Sequence, residues 1–88
     1  MTKKEFVGYL DAHDYEYGLD LRWETEPRGL ERRVALHGCW HNCTIVTIEI
    51  YRPMPGNQWP GWQEAHKRGQ VALAKYQRWL DEYLEARR

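Results

Sequence analysis

The chain has no net charge, a single phenylalanine, only two cysteines and no long hydrophobic run. Each scarcity excludes something. A chain that binds nucleic acid over its whole surface carries a basic excess, and a mimic of nucleic acid carries an acidic one; 13 Lys and Arg against 13 Asp and Glu fit neither. Two cysteines do not build a disulfide scaffold, and the basic start Met1-Thr2-Lys3-Lys4 leads into no apolar segment, so neither a signal peptide nor a secreted framework is expected. No stretch approaches the roughly 18 apolar residues of a membrane span, so no membrane partner is expected and the expected location is cytoplasmic. The sequence contains no internal repeat or low-complexity segment.

What is present is aromatic: five Trp and six Tyr in 88 residues. Large rings bury much area per residue, which lets one small domain spanning residues 1–88 close a core. Exposed Trp and Tyr are also enriched at interfaces. Charge is segregated although balanced. Residues 11–26 hold six acids against Arg22 alone, and residues 66–78 hold Lys67, Arg68, Lys75 and Arg78 with no acid.

Residues 15–25 alternate apolar and polar side chains. As a strand they bury Tyr15, Tyr17, Leu19, Leu21 and Trp23 on one face and show Glu16, Asp20, Arg22 and Glu24 on the other. Before it, Thr2 with Glu5 three residues on is a capping box, and Phe6, Tyr9, Leu10 and His13 follow at helical spacing, so residues 3–12 are read as a helix. Glu26-Pro27-Arg28-Gly29 is a turn. A second strand is expected over 32–40, with Val34, Leu36, Gly38 and Trp40 on one face, and a third over 43–52, with Val46, Ile48 and Ile50 inward. The short link between them makes a hairpin. Pairing Cys39 with Cys43 sets His37 opposite Ile45, Ala35 opposite Thr47 and Arg33 opposite Glu49. On the other side Glu24 meets Arg33 and Asp20 meets His37, and each matched charge pair is worth about 0.2–1 kcal/mol. Residues 53–61, rich in Pro and Gly, are a loop.

The stripe Gly69, Ala72, Leu73, Tyr76, Leu80, Tyr83 and Leu84 then predicts a long helix over 62–86, with Trp62 joining the core. Gly69 inside it costs about 1 kcal/mol relative to Ala, which close packing would explain. The expected fold is α+β, in the order α-β-β-β-α: a three-stranded antiparallel meander with a short and a long helix on one face.

Four constellations carry possible function. Glu16, Asp20, Glu24 and Glu26 form an acidic stripe suited to docking on a basic partner. Trp59, on the loop, and Trp79, off the main helical stripe, are candidate aromatic anchors. His37, Cys39, His41 and Cys43 are zinc-ligand types, but all four lie on one seven-residue hairpin, where tetrahedral closure is awkward. The same thiols and imidazoles are nucleophile and base types, yet no oxyanion donor or third orienting residue accompanies them. The last constellation is Lys67, Arg68, Lys75 and Arg78 on the long helix.

The element order, with His66-Lys67-Arg68-Gly69-Gln70 followed by Ala72-Leu73-Ala74-Lys75, resembles the double-stranded RNA-binding domain, whose second helix opens with a lysine cluster and continues alanine-rich. His66 and Gln70 stand where that pattern has lysines. The resemblance implies duplex RNA or DNA binding through Lys67, Arg68, Lys75 and Arg78. The reading from the residues themselves is a non-enzymatic module with a protein partner and no cofactor, such as a small inhibitor or adaptor of a phage or mobile element occluding a basic site on a nucleic-acid-handling protein. Nucleic-acid binding and a zinc hairpin are the alternatives.

Overall fold

A computed structural model describes residues 1–13, 18–38, 43–52 and 61–87. Helix α1 (Lys3–Ala12) precedes strands β1 (Leu19–Thr25), β2 (Arg32–Gly38) and β3 (Cys43–Tyr51), and helix α2 (Trp62–Ala86) closes the order α-β-β-β-α. The strands form one open antiparallel sheet, β1-β2-β3. The expected positions 15–17 and 39–40 of the first two strands, and the loop 53–60, lie outside the described residues. β1 begins after Gly18, whose φ of 71° breaks the extended backbone there, and β3 ends at Tyr51, one residue short of the expected Arg52.

The capping box forms as the sequence specifies. The Thr2 hydroxyl accepts from the Glu5 backbone N–H, and the Glu5 side chain accepts from the Thr2 N–H. Phe6 and Leu10 are the buried residues of α1. The link between β1 and β2 is tied by Glu26: its backbone C=O accepts from Gly29 N–H at 2.9 Å, and its buried side chain accepts from Leu30 N–H at 2.7 Å. Gly29, at φ 74°, supplies the left-handed residue the turn needs.

α2, about 37 Å long at 1.5 Å per residue, contacts all three strands. Ala65, Gly69, Ala72, Tyr76 and Leu80 are its buried line, while Leu84, expected in that line, is exposed. The helix approaches the sheet most closely at Gly69, which lies against the outer ring of Trp23. That ring is held edge-on by Tyr51 at 5.5 Å and His66 at 5.9 Å. Nearby, the Arg32 guanidinium stacks 4.0 Å over Trp62. α1 packs on α2, where Phe6 meets Tyr76 at 5.4 Å and Trp79 at 5.9 Å between ring centroids. The ion pair Lys3–Glu82 and the hydrogen bond from Tyr83 to Asp11 hold the rim of that contact.

β1 and β2 pair in the expected register, including Glu24 with Arg33 and Asp20 with His37. The hairpin partner does not. Ala35 pairs with Thr47 as expected, but Gly38, not Cys39, pairs with Cys43, and His37 pairs with Thr44 rather than Ile45. Two register shifts cause this. Ile45 is the extra residue between His37–Thr44 and Leu36–Val46, and Ile48 is the extra residue between Ala35–Thr47 and Val34–Glu49. Because side chains alternate along a strand, one extra residue reverses which face every later side chain occupies. Glu49 and Tyr51 therefore turn toward α2, and Ile50, expected inward, is 48% exposed on the opposite face beside Arg33.

Two substitutions check this packing. Gly69→Ala gains helix propensity but drives a methyl into the Trp23 ring; with overpacking costs of about 1–3 kcal/mol against a gain of about 1, the net is a loss. Urea unfolding is expected to show a lowered midpoint at unchanged slope. Ile50→Thr is expected to change stability by no more than about 0.5 kcal/mol, as at an ordinary surface position.

Candidate functional site

The reversed phase of β3 builds a polar cluster beneath α2. The carboxylate of Glu49 accepts hydrogen bonds from the hydroxyls of Tyr51 and Tyr76, the latter at 2.7 Å, and the Lys75 ammonium lies 4.0 Å away. Burial opposes ionisation of Glu49, but the two tyrosine hydroxyls and the lysine charge outweigh it and hold the carboxyl below the usual range. Both tyrosines move the other way: burial first, then the neighbouring carboxylate, pushes their hydroxyls well above the ordinary value. General acid–base work is most efficient with a group that titrates near the working pH. Glu49 stays charged and the tyrosines stay neutral through that range, so the cluster holds its protons in place.

Above it runs a groove of about 430 Å³ between β3 and α2. Glu49 and Tyr51 supply the strand wall, and Lys67, Arg68, Val71 and Lys75 supply the helix wall. Val71 is 68% exposed, the most exposed large apolar side chain among the described residues. Lys67 and Lys75 flank it one helical turn to either side. Arg68 pairs with Glu64 at 3.3 Å, and Lys75 also lies over the rings of Tyr76 and Trp79 at 4.5 and 5.3 Å. β3 is an edge strand, so its second edge borders the groove with no described strand on it.

The acidic stripe is resolved differently from its expected role. Asp20 is bridged by Arg22 at 2.9 Å on the same strand. Glu24 bridges two residues of β2: Oε1 is 3.4 Å from Arg33 Nε, and Oε2 accepts from His37 Nε2 at 3.0 Å. Spanning those two, Glu24 crosses Ala35, which is fully buried. His37, itself buried, is 3.2 Å from Thr44 Oγ1 as well. The Glu26 carboxyl closes the turn; its hydrogen bond from the Leu30 backbone lowers its pKa despite opposing burial, with Arg28 adding to the effect. The three described carboxylates of the stripe thus have partners within the chain, and Glu16 lies outside the described residues.

Trp79 is not a free anchor. It is half-buried, packed on the core and set edge-on to Tyr76 at 5.2 Å. Trp59, Cys39 and His41 lie outside the described residues, as does the side chain of Cys43. Among the described residues no group of three His, Cys, Asp or Glu side chains is placed to hold a metal, and no helix is long and apolar enough to cross a membrane. Lys67, Arg68 and Lys75 do come together, on the groove; Arg78 lies one turn beyond Lys75 on α2. The sequence pattern does not reveal Glu49 and Tyr51 as groove residues, because plain alternation puts both on the other face and only the sheet pairing exposes the extra residues.

No protein-family model, curated protein or solved structure matches the chain. The likeness to the double-stranded RNA-binding domain accordingly rests on element order and a few residues of α2.

The Glu49 cluster makes stability depend on pH in a defined direction. A carboxyl whose folded pKa lies below its unfolded value contributes stability above the unfolded value, 4.5 for a model Glu, and loses it as pH falls through the folded value. Glu49→Gln is therefore expected to lower the thermal midpoint at pH 7 and to reduce the further fall between neutral and acid pH, measured by circular dichroism across that range.

Proposed function

We propose that this chain is a protein-binding module without chemistry of its own, and that it engages its partner at the groove between β3 and α2. The observation that carries the reading is the exposed Val71, set among cations in a groove with the edge of β3, on which no described strand lies. A lone exposed apolar side chain is ordinary. One seated in a concave wall beside a strand edge that no described strand covers is the arrangement a partner chain can desolvate.

Among the described residues, the groups with catalytic potential support the non-enzymatic side of this reading. Glu49 and its tyrosines are held in fixed protonation states, and His37 is occupied by Glu24 and Thr44. The acidic face fits less well as the docking surface, since a partner's cations would have to displace Arg22, Arg33 and His37 from Asp20 and Glu24. Nucleic-acid binding through Lys67, Arg68, Lys75 and Arg78 is the weaker alternative: Glu64 and Glu49 interrupt the basic wall, and the chain is neutral overall.

Capture from the native host with the tagged full chain tests the reading. Val71→Asp, at an exposed helical site, is expected to leave the circular dichroism spectrum intact and to weaken capture at least about tenfold, about 1.4 kcal/mol. Asp20→Lys is expected to leave capture unchanged. Capture that survives Val71→Asp and is lost with Asp20→Lys would move the site to the opposite face of the sheet.

A further inference from the structure

We infer that the occupant of the groove is an extended acidic segment of a partner protein, which pairs with the edge of β3 along Glu49–Tyr51 and lays its carboxylates against Lys67 and Lys75. The inference rests on the protein-binding reading above and adds the chemistry of the ligand.

The first support is the shape of the edge. Ile45 and Ile48 interrupt the earlier part of β3, but from Glu49 to Tyr51 the pairing with β2 runs regularly through Val34, Arg33 and Arg32. The regular run and the groove coincide, since Glu49 and Tyr51 are the groove's strand wall. A strand added there sends alternate side chains to opposite faces of the sheet. One set enters the groove beneath α2; the other lies beside Ile50, which is exposed on the far face.

The second support is charge. Lys67 has no ion pair among the described residues, and Lys75 reaches Glu49 only at 4.0 Å. Of the two carboxylates that line the groove, Glu64 is paired with Arg68, and Glu49 is held by the hydroxyls of Tyr51 and Tyr76. Side chains entering the groove thus meet two lysines separated by two helical turns, with Val71 midway to take the methylene stems of acidic side chains. Side chains on the far face meet Ile50. The fitting sequence alternates acidic and apolar residues.

The same charges disfavour a second copy of this chain. Antiparallel pairing of two β3 edges puts both copies of α2 on the same face of the joined sheet. The ridge of Lys67, Arg68, Lys75 and Arg78 would then face its own copy, and like charges meeting across an interface oppose association.

Fluorescence anisotropy at low salt tests the inference, using the full chain and two labelled peptides, one alternating glutamate with valine and one alternating lysine with valine. The glutamate peptide is expected to bind and the lysine peptide not to bind, with affinity falling as salt rises. Lys67→Glu combined with Lys75→Glu is expected to weaken binding by roughly tenfold or more. Lys4→Glu, on the exposed face of α1, is expected to leave it unchanged. Amide exchange across 44–51 is expected to slow on peptide addition. Equal binding of the two peptides, equal loss with Lys4→Glu, or no protection in β3 would overturn the inference. So would duplex RNA displacing the glutamate peptide with the same lysine dependence, or a dimer in sedimentation that protects β3 without peptide. If partner capture still depends on Val71 while the glutamate peptide does not bind, the acidic-ligand inference fails and the groove remains the site.

Discussion

The extra residue Ile48 is the constraint on which the working side of this molecule depends. It reverses the last part of β3, so that a carboxylate points into the space between sheet and helix while an isoleucine points outward. An unpartnered carboxylate there would be costly. Tyr51, Tyr76 and Lys75 meet it from the strand and the helix, and together they keep Glu49 ionised. The cluster joins β3 to α2 at mid-helix and sets the wall of the groove. With uninterrupted alternation Ile50 would lie there instead, and the helix wall would have no polar partner on the strand.

The close approach of α2 at Gly69 is the second element of this arrangement. Trp23 and Tyr51 pack edge to face under the helix, His66 of α2 meets the Trp23 ring from the helix side, and the missing side chain at Gly69 leaves room for that ring. Toward the other end of α2 the rings serve the contact between helices instead, where Tyr76 and Trp79 receive Phe6 of α1. Among the described residues the rings are accounted for largely by core building. Val71, one of the few large apolar side chains left outside, marks the surface where binding is proposed.

The sheet's other face shows how a segregated charge pattern can be internally balanced. Asp20 is bridged by Arg22 within β1, and Glu24 ties Arg33 and His37 of β2. In the sequence the acidic stripe reads as a surface awaiting a basic partner, because six acids stand against Arg22 alone over residues 11–26 and the partners of Glu24 lie on the next strand. Folded, its described carboxylates have partners within the chain, and Lys67 on α2 has no ion pair among the described residues.

The element order, the capping box at Thr2 and Glu5, the pairing of β1 with β2, the buried face of α2 and the close contact implied by Gly69 were all determined by the sequence alone. Each follows from a local signal: a three-residue spacing, a period of two or 3.6, an opposite charge at a matched position, or a glycine where a helix has no need of one. The face taken by Glu49, Tyr51 and Ile50, the bridges from Asp20 to Arg22 and from Glu24 to His37, and the groove beside Val71 were decided only by the tertiary structure. The physical reason is that a bulge leaves the strand's own alternation of apolar residues intact: Val46, Ile48 and Ile50 read as one face until β2 is laid beside them, and its hydrogen-bonded pairing passes over Ile48.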